Sequence, residues 1–162
     1  MESRIIIVPA EEAHFPAAAE IAVKAWTPIR QEYNKLLGED MYDRFFTDWQ
    51  NKKKNAVVKG LSGGHGYVAL VDDCVAGFIS YTVNHETKLG EIMDNAVDPS
   101  YRGMGIGTMM YRYVLAEMQK EGMCHAVVTT GLDDAHAPAR RSYEKAGFEK
   151  GLPYVKYYME LK

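Results

Sequence analysis

Cysteine is scarce in this chain. Cys74 and Cys124 are its two cysteines in 162 residues, and their separation fits no metal or redox motif. Each lies in an apolar stretch, which predicts two small buried hydrophobes and gives no support to a disulfide. Long hydrophobic runs are missing as well. Nothing approaches the roughly 18 apolar residues that a membrane span needs. The run Ile5-Ile6-Ile7-Val8 is too short for the core of a signal peptide. The expectation is a cytoplasmic protein with no membrane partner. Positive charge is not in excess either, since 19 basic residues meet 22 acidic ones for a net charge of −3. That balance argues against a nucleic-acid partner, which would ask for a clustered basic surface. The basic run Lys52-Lys53-Lys54 reads as a solvated loop or helix end. None of His14, His65, His85 and His125 pairs with a cysteine or carboxylate at metal spacing, so no metal site is expected.

What remains is an ordinary globular composition, 47% hydrophobic and 25% charged, with no repeat or linker. The length predicts one domain over residues 1–162. A domain of this size buries roughly 70% of its unfolded surface.

The pattern along the chain predicts a mixed α/β domain. Ile5 to Val8, closed by Pro9, reads as a first strand. Ala13, Ala17, Ile21 and Ala25 recur four apart and predict a helix that Pro28 ends or kinks. Ile29 to Trp49 reads as a second, aromatic-rich helical region with a turn at Gly38, and Lys59 to Gly66 as a glycine-rich loop that carries His65. Tyr67–Val71 and Cys74–Val83 predict a hairpin turning at Asp72-Asp73, and Gly90–Val97 a further strand. A helix over about Thr108–Glu121, a strand at His125–Thr130, a helix at Ala137–Ala146 and a last strand at Tyr154–Leu161 complete the order. The front half is largely antiparallel, with one βαβ step in the middle.

Between that further strand and its helix stands Arg102-Gly103-Met104-Gly105-Ile106-Gly107. Glycine permits positive φ and lets backbone approach a ligand closely. A helix start adds unpaired N–H groups and a positive dipole end, which together suit a diphosphate. Arg102 adds a permanent charge, and Thr108 a hydroxyl or a cap. A tight turn with no ligand has the same composition. A Walker loop is excluded because Gly107 is followed by Thr108 with no lysine between. A dinucleotide fingerprint fits poorly, since its third glycine comes one residue early.

The stretch from Asn95 to Gly107 resembles the acetyl-CoA motif of the GNAT superfamily of N-acetyltransferases, Arg/Gln-x-x-Gly-x-Gly/Ala, met by Arg102, Gly105 and Gly107. Ala139 to Phe148 resembles the family's later helix, ending in Tyr-x-x-x-Gly-Phe. The resemblance implies an α/β fold with a central, mostly antiparallel sheet of about six to seven strands flanked by about four helices. It implies an acetyl-CoA-dependent N-acetyltransferase that uses a small-molecule or peptide amine as acceptor, without a metal. It leaves a homodimer open. A non-catalytic acyl-CoA sensor is the alternative, because it would keep the glycine turn alone.

The same resemblance assigns roles. Ala96 and Val97 would bond pantetheine through their backbone. Arg102, Gly103, Met104, Gly105, Ile106, Gly107 and Thr108 would hold the pyrophosphate. Tyr143 takes the place of the family's tyrosine acid. Glu91 is the first candidate base; period-two counting puts it on the face of Val97 and puts Asp94, the second candidate, on the other. A water chain is a third route. Where many members carry an asparagine against pantetheine, this chain has His136, either a cofactor contact or a helix-start residue. Asp133 and Asp134 read as turn and capping residues. For the acceptor, Trp26, Tyr33, Tyr42, Phe46 and Trp49 offer an aromatic wall, with Glu32, Glu39 and Asp40 nearby.

Overall fold

The computed structural model describes residues 4–161. Strands β1 (Ile5–Pro9), β2 (Gly66–Val71), β3 (Cys74–Asn84), β4 (Leu89–Val97) and β5 (His125–Val128) form one sheet in that order. The first four pair antiparallel, and β5 runs parallel to β4. The β2–β3 turn holds Asp72 and Asp73 at φ 47 and 66, the left-handed pair that matches strand twist in a tight hairpin. Among the described residues, five strands stand where six to seven were expected, and five α-helices where about four were.

Helices α1 (Phe15–Leu37), α2 (Glu39–Phe46) and α3 (Trp49–Leu61) come before β2, α4 (Ile106–Lys120) joins β4 to β5, and α5 (Ala137–Ala146) follows β5. Each face of the sheet has its own core. Ala18, Ile21, Val57, Leu61 and Phe78 pack on the α1–α3 side. Ile79, Ile92, Ile106, Met110 and Val114 pack on the α4 side. Adjacent residues Phe78 and Ile79 thus feed opposite cores, as a doubly covered strand requires. Burying each such side chain contributes about 1.5–3 kcal/mol.

Four expectations need correction. Pro28 does not end α1, which runs on through it to Leu37. The helix buries Ala18, Ile21 and Ala22 before the proline and Ile29 after it, so packing on both sides outweighs one lost backbone bond. Lys52-Lys53-Lys54 and Lys59–Leu61 lie within α3, a third helix, and only Ser62–His65 form a turn. Cys74 and Cys124 are exposed, because each sits at a strand's turn-proximal end. Finally, 149–161 form no strand; Tyr157 is 90% and Leu161 82% exposed. Alternation is a local pattern, and a strand needs a paired neighbour, which this segment lacks in its own sheet.

One irregularity shapes the site. Ile79 faces Asn95 while Tyr81 faces Ile92, so three steps of β4 oppose two of β3. This bulge reverses the strand's facing from Asp94 onward. Glu91 and Asp94 therefore share a face, contrary to the period-two count, and Asn95 joins Ile92 on the α4 side.

Candidate active site

β4 and β5 pair from Leu89↔His125 to Ile92↔Val128 and no further. Beyond that point the two strands part, and a cleft of about 660 Å³ opens between them. Met93 to Val97 form one wall and Thr129–Thr130 the other, with the start of α4 and one side of α5 as the floor.

The glycine turn closes one end. Gly103 and Gly105 hold φ 81 and 75, and a Cβ at either would meet nothing within 4 Å. Backbone conformation, not crowding, therefore demands glycine there. Gly105 is the N-cap of α4 and provides no side-chain cap. The N–H groups of Ile106, Gly107 and Thr108 are left without helical partners at the positive end of the helix. A Cβ at Gly107 would occupy the cradle between Val97, Tyr111 and Ser142. These features fit a diphosphate. Arg102, Gly103, Gly105, Ile106, Gly107 and Thr108 line the cleft together with Ala96 and Val97. Met104 does not line it, and its side chain is 38% exposed.

The turn is fixed to α1 by Asp98. This buried carboxylate accepts bonds from the Ser100 backbone N–H at 2.9 Å and the Ser100 hydroxyl at 2.6 Å. Lys24 of α1 donates to it at 2.9 Å. The Ser100 bonds and the Lys24 ammonium together lower its pKa to about 2.

Tyr143 enters from α5, 7% exposed and lining the cleft. Its ring stands against Tyr111 at 4.8 Å between centroids. The Asn95 amide nitrogen lies 3.3 Å from the Tyr143 oxygen, and the Tyr111 hydroxyl donates to Asn95 Oδ1 at 2.8 Å. Burial raises the Tyr143 pKa above the ordinary phenol value, and the bonds to Asn95 and Tyr111 offset only part of that rise. Tyr143 therefore stays protonated through neutral pH.

The carboxylates differ in their partners. Asp94 is engaged by Lys53 at 2.9 Å, and that ammonium also lies 4.2 Å from the Trp26 ring centroid. Glu91 lines the cleft and, among the described residues, forms no ion pair. The His136 ring also lines the cleft, with Nδ1 2.6 Å from Asp133 Oδ1. Burial is the largest single influence and would raise Asp133, but His136, Glu32 and a backbone bond together outweigh it and hold the carboxyl below its ordinary value. With Nδ1 so engaged, Nε2 is the ring nitrogen left for a ligand. Arg140 donates to the Gly131 and Asp133 carbonyls and fixes that loop.

The expected acidic aromatic wall is not assembled. Trp26 reaches the cleft, while Tyr33 and Tyr42 each set a tilted ring against Phe46. Asp40 is paired with Arg44, and Glu32 accepts from the Ala135 N–H at 3.4 Å. Sequence reasoning missed Asn95, Tyr111, Lys24 and Asp98. Asn95 and Asp98 lie within or beside the glycine motif, but their partners are set by tertiary contacts alone.

The model of the acetyltransferase (GNAT) family matches residues 23–148. A mycothiol acetyltransferase of Thermomonospora curvata is 31% identical over 91 residues, covering 56% of this chain and 30% of that protein. The chain spans less than half the length of the curated relatives it matches. Among solved structures, the aminoglycoside N-acetyltransferase AAC(6')-Iy in complex with CoA superposes with a TM-score of 0.68 at 14% identity, covering 99% of this chain and 98% of that one. The ribosomal-protein-S18-alanine N-acetyltransferase of Escherichia coli superposes at 0.66 and 19%, covering 92% and 80%. At these identities the superpositions establish a shared fold. No helix among the described residues is long and apolar enough to cross a membrane.

Proposed function

The chain belongs to the acetyltransferase (GNAT) family, and from that premise we propose that it transfers an acetyl group from acetyl-CoA to a primary amine on a small molecule or peptide. The observation that carries this reading is the convergence in one cleft of the α4 N-terminus, the open edge of β4 and the protonated Tyr143. We read residues 1–162 as a single domain that works in this way.

Acetyl-CoA supplies an acetyl group activated as a thioester. Ala96 and Val97 would align its pantetheine along the open edge of β4. Arg102 and the backbone from Gly103 to Thr108 would hold its pyrophosphate, and His136 would offer Nε2 to the pantetheine. Both substrates are held together, and the amine attacks directly. The C–N bond forms as the C–S bond breaks. Glu91 takes the proton that the amine must lose, because Asp94 is already neutralised by Lys53. Tyr143 gives its phenolic proton to the departing sulfur.

A thiol-release assay with acetyl-CoA and a panel of amines tests the reading. Turnover with at least one amine is expected. Tight CoA binding with no turnover on any amine would instead support a non-catalytic acyl-CoA sensor. Tyr143→Phe should lower kcat by roughly 100-fold, within the range for loss of a general acid, and leave CoA affinity near normal.

A homodimer is part of the same proposal. Among the described residues, nothing pairs with the outer edge of β5. The segment after α5 exposes Val155, Tyr157, Met159 and Leu161 at strand spacing.

A further inference from the structure

A second, smaller cavity of about 270 Å³ lies among α1, α2 and α3, lined by Arg30, Phe45, Phe46, Trp49, Lys52 and Lys53. It has a charge character opposite to that of the chain, whose net charge is −3. Three cations line it and no carboxylate does. Lys53 is neutralised by Asp94, but neither Arg30 nor Lys52 forms an ion pair among the described residues.

Arg30 is held in an unusual way. Its guanidinium carbon lies 4.5 Å from the Phe46 ring centroid, 5.5 Å from Trp49 and 5.6 Å from Tyr33. Ring faces attract the cation but accept none of its in-plane N–H bonds. Nε is buried and has no hydrogen-bond partner. A buried donor left unmade costs about 1–3 kcal/mol. The rings therefore fix the position of a planar donor set whose natural complement is an oxyanion, and none of the described residues provides one.

This cavity adjoins the active-site cleft. Lys53 lines the cavity, contacts Trp26 and bonds Asp94, and both of those residues line the cleft. With Lys53 and Asp94 paired, Glu91 presents the negative charge on the cleft side, and Arg30 and Lys52 the positive charge on the other. We propose that the acceptor amine also bears a carboxylate, which Arg30 and Lys52 bind, with an apolar or aromatic group against Phe45 and Trp49. The acceptor class is thus an amino acid or a short peptide, and a polycationic amine is disfavoured. The inference rests on the acetyl-transfer reading, because it treats this cavity as the far end of the acceptor site.

Isothermal titration calorimetry tests it on the full chain saturated with CoA, which occupies the other anion site at α4. The probes are N-acetyl-L-phenylalanine, which corresponds to a product, and its C-terminal amide. The acid should bind at least ten-fold more tightly than the amide. That advantage should fall below three-fold in Arg30→Met and be reduced in Lys52→Gln. The lysine variant alters an exposed side chain and serves if the arginine variant does not fold. Equal affinity for acid and amide in the unaltered protein, or no binding of the acid, overturns the subsite. Thiol release with L-phenylalanine, L-phenylalaninamide and spermidine separates the two readings. Equal turnover of acid and amide rejects the carboxylate subsite while transfer stands. No turnover of any amine rejects transfer, and calorimetry still decides the subsite.

Discussion

Asn95 accepts a hydrogen bond on Oδ1 from the Tyr111 hydroxyl, so its amide nitrogen is the group left to face Tyr143. That nitrogen can only donate, and the Tyr143 oxygen accepts. The phenolic hydrogen of Tyr143 is then free to point elsewhere, and the cleft is the space it lines. Asn95→Leu should lower kcat roughly ten-fold by releasing the Tyr143 hydroxyl, a fraction of the general-acid effect, with CoA affinity unchanged by calorimetry. Tyr111→Phe removes the bond that orients the amide and should act in the same direction, but less. A pH–rate profile gives an independent check. Burial raises the Tyr143 pKa, and under the proposed acid role the protonated form is the active one, so kcat should show no alkaline limb from this residue below about pH 10. A limb near pH 8 that disappears in Tyr143→Phe would contradict the geometry. Tyr143 was legible in the sequence through its Tyr-x-x-x-Gly-Phe setting. Asn95 was not, because an alternating count cannot register the bulge that turns it towards α4 and α5.

At the scale of elements, the glycine turn depends on a pair far apart in sequence. Lys24 comes from the middle of α1, and Asp98 from the residue after β4. Their contact, with Ser100, holds the turn against the first helix. The folded-state pKa of Asp98 is depressed from 3.8 to about 2, which corresponds to roughly 2 kcal/mol of stability. Because the shift is downward, the contribution is fully present above pH 4 and is lost as pH falls from 4 to 2. Urea unfolding midpoints should drop across that window in the native chain. Asp98→Asn should be less stable at pH 7 and show a weaker decline below pH 4; a parallel decline in both proteins would assign it to other groups. The hairpin and the β4–α4–β5 step were legible because strand patterns, Asp-Asp and clustered glycines encode them locally. The path of α1 through Pro28 and the existence of α3 were not, since both follow from packing against the sheet.

For the whole molecule, the same contrast appears at the sheet's last edge. The sheet ends on a four-residue β5, and residues 149–161 beyond α5 carry strand alternation without strand structure. Met159 is 76% exposed and Val155 68%, whereas Tyr158, whose ring stands 5.5 Å from Phe45, is 36% exposed. An apolar row of this kind and an unpaired edge are each unfavourable in water, and a second copy of the chain relieves both at once. The full chain should therefore have the mass of a dimer by light scattering at micromolar concentration. A chain ending at Lys150 should be monomeric, because it lacks the row but keeps both cores. Its CoA affinity should stay within about three-fold of the full chain, a change of under 1 kcal/mol, because the cleft is built from residues before 150. A full chain that runs as a monomer would remove the dimer from the proposal. A truncated chain that loses CoA binding would show that the tail supports the cleft itself, and the effect would then belong to the fold and not to assembly.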